Sequence, residues 1–150
     1  MNKVFFSVVN PMVITLLRSP LHPLMSANTA LIEFRGRKSG KIYQMPVSYH
    51  ETEHAVHLFT DRSNGWWRNL QGGDAMKIRI RGIEHIGRPQ AEVEDSPAKQ
   101  AALTSFLTAV PRDASSAGVH LDTNGQPCAS DIADASERLV LIAIDLMHDS

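Results

Sequence analysis

A chain of 150 residues, 43% hydrophobic and 21% charged, has the make-up of one globular domain with room for a sizeable core. Its single cysteine, Cys128, excludes an internal disulfide and a cysteine-based metal cluster, and it suits a reducing, cytoplasmic setting. The formal net charge of -1 hides an asymmetry: residues 1–32 carry two basic side chains and no acid, residues 33–88 ten against six, and residues 89–150 three against ten. Clustered positive charge in the middle of the chain favours an anionic ligand there. The acidic final third argues against nucleic acid, whose phosphate backbone needs an extended basic track.

In chain order, the apolar stretch from Val4 to Leu17 is interrupted by Asn10 and Pro11. It is too short to span a membrane, and no clear small-residue cleavage site follows it. Asn10-Pro11 and Ser19-Pro20 each place a capping residue before a proline, which predicts two short helices over 11–18 and 20–26. The first would lie on the domain or make weak contact with a membrane surface. Thr29–Arg35, Tyr43–His50 and His54–Thr60 read as strands, with a glycine-bearing turn over 36–40 between the first two. Trp66–Leu70 is too short and polar for a strand and reads as a helical turn. Met76–Arg81 alternates with period two, and a turn at Gly82 leads to a partner strand over His85–Glu94. Ser96-Pro97 caps a helix running to about Val110, where Pro111 stops it. Residues 111–136 are polar and weakly patterned, and Arg138–Asp145 is a continuous apolar strand. No repeat or long linker divides the chain, so 1–150 is read as one domain: mainly β, six antiparallel strands curled into a small barrel, with peripheral helices. A barrel leaves no open edge, and the final strand is suited to close it.

Four cations, two glycines and a serine fall within Arg35-Gly-Arg-Lys-Ser-Gly-Lys41. Gly36 and Gly40 permit the positive φ of a tight turn, whose successive N–H groups can form a concave anion nest. Arg37 adds a forked donor, Lys38 a compact charge and Ser39 a hydroxyl. The alternative reading is a hairpin turn that is basic by chance. The glycine spacing is not that of a nucleotide-binding P-loop, and the loop joins strand to strand.

Elsewhere the residues divide between ligand and structural roles. Of Trp66 and Trp67, adjacent and so facing apart, one is expected in the core and the other beside a cleft. Asn69 suits either a ligand contact or turn capping. Lys77, Arg79 and Arg81 share one strand face, read as solvated. His50, His54 and His57 are expected to be scattered by a turn at 51–53, so no metal site is assigned. Cys128 has no histidine near it in sequence and is not marked as a nucleophile.

Several segments together resemble one family. They are Leu17-Arg-Ser-Pro-Leu-His22, Gly36-Arg-Lys-Ser-Gly-Lys41, Pro46, the strand ending at Thr60, Trp67-Arg-Asn-Leu70, the basic hairpin 76–94 and the strand 138–145. The chain resembles the deazaflavin-dependent nitroreductases, split β-barrels related to the pyridoxamine-phosphate-oxidase-like FMN-binding proteins. The resemblance implies that Arg37, Lys38, Ser39, Gly40 and Lys41 hold the phosphodiester and acidic tail of coenzyme F-420. It implies that the deazaflavin ring lies near residues 46–48 and 59–70, with Pro46, Val47, Thr60, Trp67 and Asn69 around it. Thr60 and backbone groups would hydrogen-bond the ring or the substrate. The implied function is an oxidoreductase using reduced F-420 as hydride donor to a small organic acceptor. The alternatives are an FMN-dependent oxidoreductase of the same fold, or a non-catalytic barrel that carries a flavin or an apolar ligand. Related split barrels occur as monomers and homodimers. The family's tyrosine-rich helix falls in 111–136, where this chain has no tyrosine, so no catalytic proton donor is carried over.

Overall fold

A computed structural model of the chain describes residues 28–53 and 55–147. The helices expected over 11–18 and 20–26, the membrane-surface contact and the segment Leu17–His22 lie outside these residues, as does His54. In order come β1 (Thr29–Arg35), β2 (Ile42–Ser48), β3 (His50–Glu51), β4 (Val56–Asp61), a 3-10 turn (Trp66–Leu70), β5 (Met76–Ile80) and β6 (Ile83–Glu92). They are followed by α1 (Pro97–Ala109), a second 3-10 turn (Pro111–Asp113), α2 (Ala114–Ala117), α3 (Ala129–Arg138) and β7 (Leu139–Leu146).

One antiparallel sheet of seven strands runs in the order β2-β1-β5-β6-β7-β4-β3. Six strands become seven because the expected strand over Tyr43–His50 breaks at Tyr49. Its first part pairs with β1 (Thr29 opposite Ser48), and its second with β4 (His50 opposite His57). The two edge strands are thus successive pieces of chain, and the sheet curls until they meet at Tyr49. Alternation sets the inward face: Ala30, Ile32 and Phe34 of β1, Met45 and Val47 of β2, Met76, Ile78 and Ile80 of β5, and Val140, Ile142 and Ile144 of β7 are buried together. The β5–β6 hairpin turns through Arg81 (φ 49°) and Gly82 (φ 79°), the double positive φ of a tight two-residue hairpin turn. Arg81 tolerates this unusual conformation while donating to the Tyr49 hydroxyl (3.2 Å) and to Glu51 Oε1 (3.0 Å), so the hairpin ties down the joint where the edges meet.

The helices cover one outer flank of the sheet. Along α1, Leu103, Phe106 and Leu107 are buried at spacings of three and four, and Val110 at its C-cap completes the stripe. The Phe106 ring meets Phe59 of β4 edge-on at 5.3 Å. Ser96 caps α1 by accepting from the Lys99 N–H at 3.0 Å. Lys99 is fully buried on the same stripe, and its ammonium donates to the carbonyls of Val93 (2.8 Å) and Ser136 (2.6 Å). Burial pushes its pKa down. One side chain therefore pins α1 to the end of β6 and to α3.

Residues 111–136 differ from their unpatterned reading. They hold α2, most of α3 and a bridge between Leu121 and Pro127. Ile132, Ala135 and Ser136 bury one face of α3, and Ile132 and Ala135 share the apolar cluster of α1.

Candidate functional site

The loop between β1 and β2 is shaped from within. Gly36 N–H donates to the Lys41 carbonyl (2.7 Å), Gly40 N–H to the Gly36 carbonyl (2.9 Å), and Lys41 N–H to Ser39 Oγ (3.2 Å). The Arg35 guanidinium donates to the Gly40 carbonyl at 2.8 Å. Gly40 has φ 73°, where a side chain would be strained. A Cβ on Gly36 would sit 2.7 Å from the Tyr43 ring and 2.9 Å from Ser39 Oγ, so only glycine lets Tyr43 pack there.

These bonds revise the expectation of an amide nest. The N–H groups of Gly36, Arg37, Gly40 and Lys41 all have partners within the fold. Those of Lys38 and Ser39 have none among the described residues. Anion capture therefore falls to side chains. Arg35, Arg37, Lys38 and Lys41 are exposed, and none forms an ion pair with an acid among the described residues. The contrast is the outer face of β5, where Lys77 faces Glu33 (3.8 Å), Arg79 faces Glu84 (3.9 Å), and Arg81 beyond it faces Glu51 (3.0 Å). That face is paired with acids of its own surface; the loop is not.

The other expected site residues lie at three depths. Pro46 is half-buried on β2 opposite Leu31. Val47 and Trp67 are 5% and 3% exposed and belong to the barrel core, with Trp67 Nε1 donating to the Arg62 carbonyl (3.1 Å). Trp66, half-buried, packs against Phe34 with centroids 6.0 Å apart, and Phe34 in turn stacks on Tyr43 at 5.8 Å. The two tryptophans divide into core and edge, with Trp66 at the edge. Thr60 is 2% exposed and accepts from Asn64 Nδ2 at 2.9 Å. Asn64, itself 1% exposed, keeps Oδ1 buried with no hydrogen-bond partner among the described residues. Asn69 links the loop to the 3-10 turn: its Oδ1 accepts from the Arg37 backbone N–H and its Nδ2 donates to the Trp66 carbonyl, both at 3.0 Å.

Beside the loop, Glu33, Phe34, Arg35, Ile42, Ala75, Met76, Lys77 and Ile86 line an open groove of about 390 Å³, within the size range of small-molecule sites. Residues 46–48 and 59–70, expected around a ring, do not line it.

One other reading changes. His50 and His57 are direct cross-strand partners rather than scattered. Among the described residues no group of three His, Cys, Asp or Glu could hold a metal ion. The Cys128 N–H donates to the His120 backbone carbonyl (2.9 Å), while the His120 ring turns to Asp131, with Nδ1 2.8 Å from Oδ2. The Ser130 hydroxyl and nearby backbone N–H groups draw the Cys128 thiol pKa down. Among the described residues no helix is long and apolar enough to cross a membrane.

Sequence had no signal for the packing of Phe34 on Trp66, which joins segments distant along the chain, and Asn64, only four residues from Thr60, falls in no motif. No family model matches the sequence, and no curated protein does. Among solved structures, the chain is similar to a proposed 5-nitroimidazole antibiotic resistance protein from Bacteroides thetaiotaomicron: 15% identity over 83% of this chain and 76% of that one, TM-score 0.58. It is also similar to a pyridoxamine 5'-phosphate oxidase-related, FMN binding protein from Nostoc punctiforme, with 13% identity over 91% and 79%, TM-score 0.55. A third is a protein of unknown function from Agrobacterium tumefaciens, with 12% identity and TM-score 0.56; 92% of this chain matches 55% of that one. Identities this low establish a shared fold: a curled antiparallel β-barrel with peripheral helices.

Proposed function

We propose that this chain is an oxidoreductase that uses reduced coenzyme F-420 as hydride donor to a small organic acceptor, with FMN as the alternative cofactor on the same fold. The observation that carries the reading is the 36–41 loop with flanking Arg35: four exposed cations without acidic partners, on a rigid turn beside the Tyr43–Phe34–Trp66 row. Such a loop has unspent charge for a phosphate-bearing tail. The likeness to an FMN-binding protein supports a flavin-type cofactor and keeps FMN as the second reading.

The residues present fit such a group. Arg37, Lys38 and Lys41 would pair with the anionic tail, assisted by the N–H groups of Lys38 and Ser39 and by the turn at Gly40. Trp66 would face the ring, with Pro46, Val47, Thr60 and Trp67 forming the wall behind it. The deazaflavin, when bound, supplies the hydride chemistry, while the chain supplies grip and orientation. Few catalytic side chains are then needed, and none is assigned.

Titration of the purified protein with F-420 and with FMN, followed by fluorescence, tests the reading. F-420 should bind more tightly, since the loop offers more cations than one phosphate requires. FMN binding at least about tenfold more tightly would promote the second reading, and absence of binding by either would overturn both.

A further inference from the structure

The internal hydrogen bonds of the 36–41 loop continue the β1–β2 ladder beyond Arg35 and Ile42 and tie the loop only to its own hairpin. Leaving the loop are a long contact from Ser39 Oγ to the Tyr43 hydroxyl (3.4 Å) and the bond from Arg37 N–H to Asn69, 32 residues away. Asn69 stands on a firm post. Its turn is anchored in the core by Trp67 and Leu70, 3% and 2% exposed. Both ends of its carboxamide are used, Oδ1 by Arg37 and Nδ2 by the Trp66 carbonyl. The link needs an acceptor and a donor on one short planar group. Aspartate lacks the donor, serine the reach, and glutamine is one methylene too long.

We propose that Asn69 is a positioning residue rather than a ligand contact: it locks the cationic loop to the turn carrying Trp66, so that the two ends of one elongated ligand are gripped at a fixed spacing. The proposal rests on the flavin reading above. Without the lock the four cations remain and the fold remains, but the loop must be ordered anew each time an anion binds, which lowers affinity for the anionic end alone.

The test compares FMN with riboflavin, which has the same ring and no phosphate. The parent protein should prefer FMN, and the preference should shrink with added salt. In Asn69→Ala, FMN affinity should fall roughly tenfold, the scale of one lost hydrogen bond, while riboflavin affinity stays within about twofold. Equal weakening of both ligands would make Asn69 a ring contact or a general structural support and overturn the proposal, as would unchanged FMN affinity. A parent that binds both ligands equally would show that the loop does not grip the phosphate and would overturn the ligand half of the proposal, while leaving the flavin reading standing. Amide exchange in the unmodified protein, followed by NMR, tests the lock without any variant. The Arg37 N–H should exchange far more slowly than those of Lys38 and Ser39. Equal rates would show that the lock does not hold, whatever the titrations give.

Discussion

His50 and His57 lie directly opposite one another across β3 and β4, at the strand pair next to the joint where the sheet's edges meet. The pair is half-buried, and among the described residues the buried His57 Nδ1 has no hydrogen-bond partner. Burial holds the His57 pKa below its ordinary value of 6.5; the neighbouring His50 adds to the effect and Glu92 of β6 opposes it.

A pH dependence follows. Because the folded chain holds the His57 proton less tightly than the unfolded chain, the unfolded state binds more protons between the lowered pKa and 6.5. The neutral ring's contribution is complete above about pH 6.5 and is lost as the pH falls through the window beneath it. The melting temperature should therefore drop on acidification from pH 7.5 to about 5.5, and by less in His57→Gln. Identical slopes in the two proteins would count against the argument.

Arg37→Ala and Lys38→Ala should each weaken cofactor binding by roughly 10- to 150-fold, the scale of one charge-assisted hydrogen bond to an anion, about 1.5–3 kcal/mol. Both side chains are exposed, so stability should change by less than about 0.5 kcal/mol. Affinity and melting temperature measured side by side decide the point. An affinity within twofold of the parent would reduce the loop to a basic hairpin.

Lys99→Met keeps most of the side chain's volume but removes the ammonium. The carbonyls of Val93 and Ser136 then lose a buried donor. The Val93 carbonyl keeps a second donor, the Arg62 guanidinium at 2.8 Å, so one orphaned carbonyl sets the expected loss in urea unfolding at about 1–3 kcal/mol. A loss below about 1 kcal/mol would mean that water replaces the ammonium.

Two glycines should respond oppositely to alanine. A Cβ on Gly87, inside the barrel wall, would overlap Ile144 Cγ2 and sit 3.2 Å from the Asp145 carbonyl oxygen. Gly87→Ala should therefore cost about 1–3 kcal/mol through overpacking. Gly65 has φ -85° and open space around it, so Gly65→Ala should be neutral or stabilising by up to about 1 kcal/mol. Thermal melts of both variants check the pair.

Where side chains alternate or repeat at helical spacing, the sequence announced the fold. β1, β5 and β7 and the helix after Ser96 lie within a few residues of their expected bounds. A two-residue strand such as β3 has no pattern to read, and the pairing of His50 with His57 depends on a bend at Tyr49. Helix α3 escaped notice because it begins after Cys128, which makes no side-chain cap, and because its buried face has only Ile132 as a large apolar residue. At the site, the glycines and cations of 36–41 mark a loop, and charge counting alone finds it. That its amides are mostly occupied could not be read in advance, nor could the bond from Asn69 to Arg37 across 32 residues. Such contacts exist only once distant segments have been folded together.

The place of β7 in the sheet bears on how the protein is made. Among the described residues Leu139–Leu146 is the last strand in sequence, yet it lies between β6 and β4 and pairs with both. On the ribosome the β1–β2 and β5–β6 hairpins can form as they emerge, since their contacts are local. The two halves of the barrel stay unjoined until β7 has emerged, and β4 must wait for it with its pairing edge open. A chain halted before residue 139 would expose two unsatisfied edges at once, inviting chaperones or, in their absence, other nascent chains.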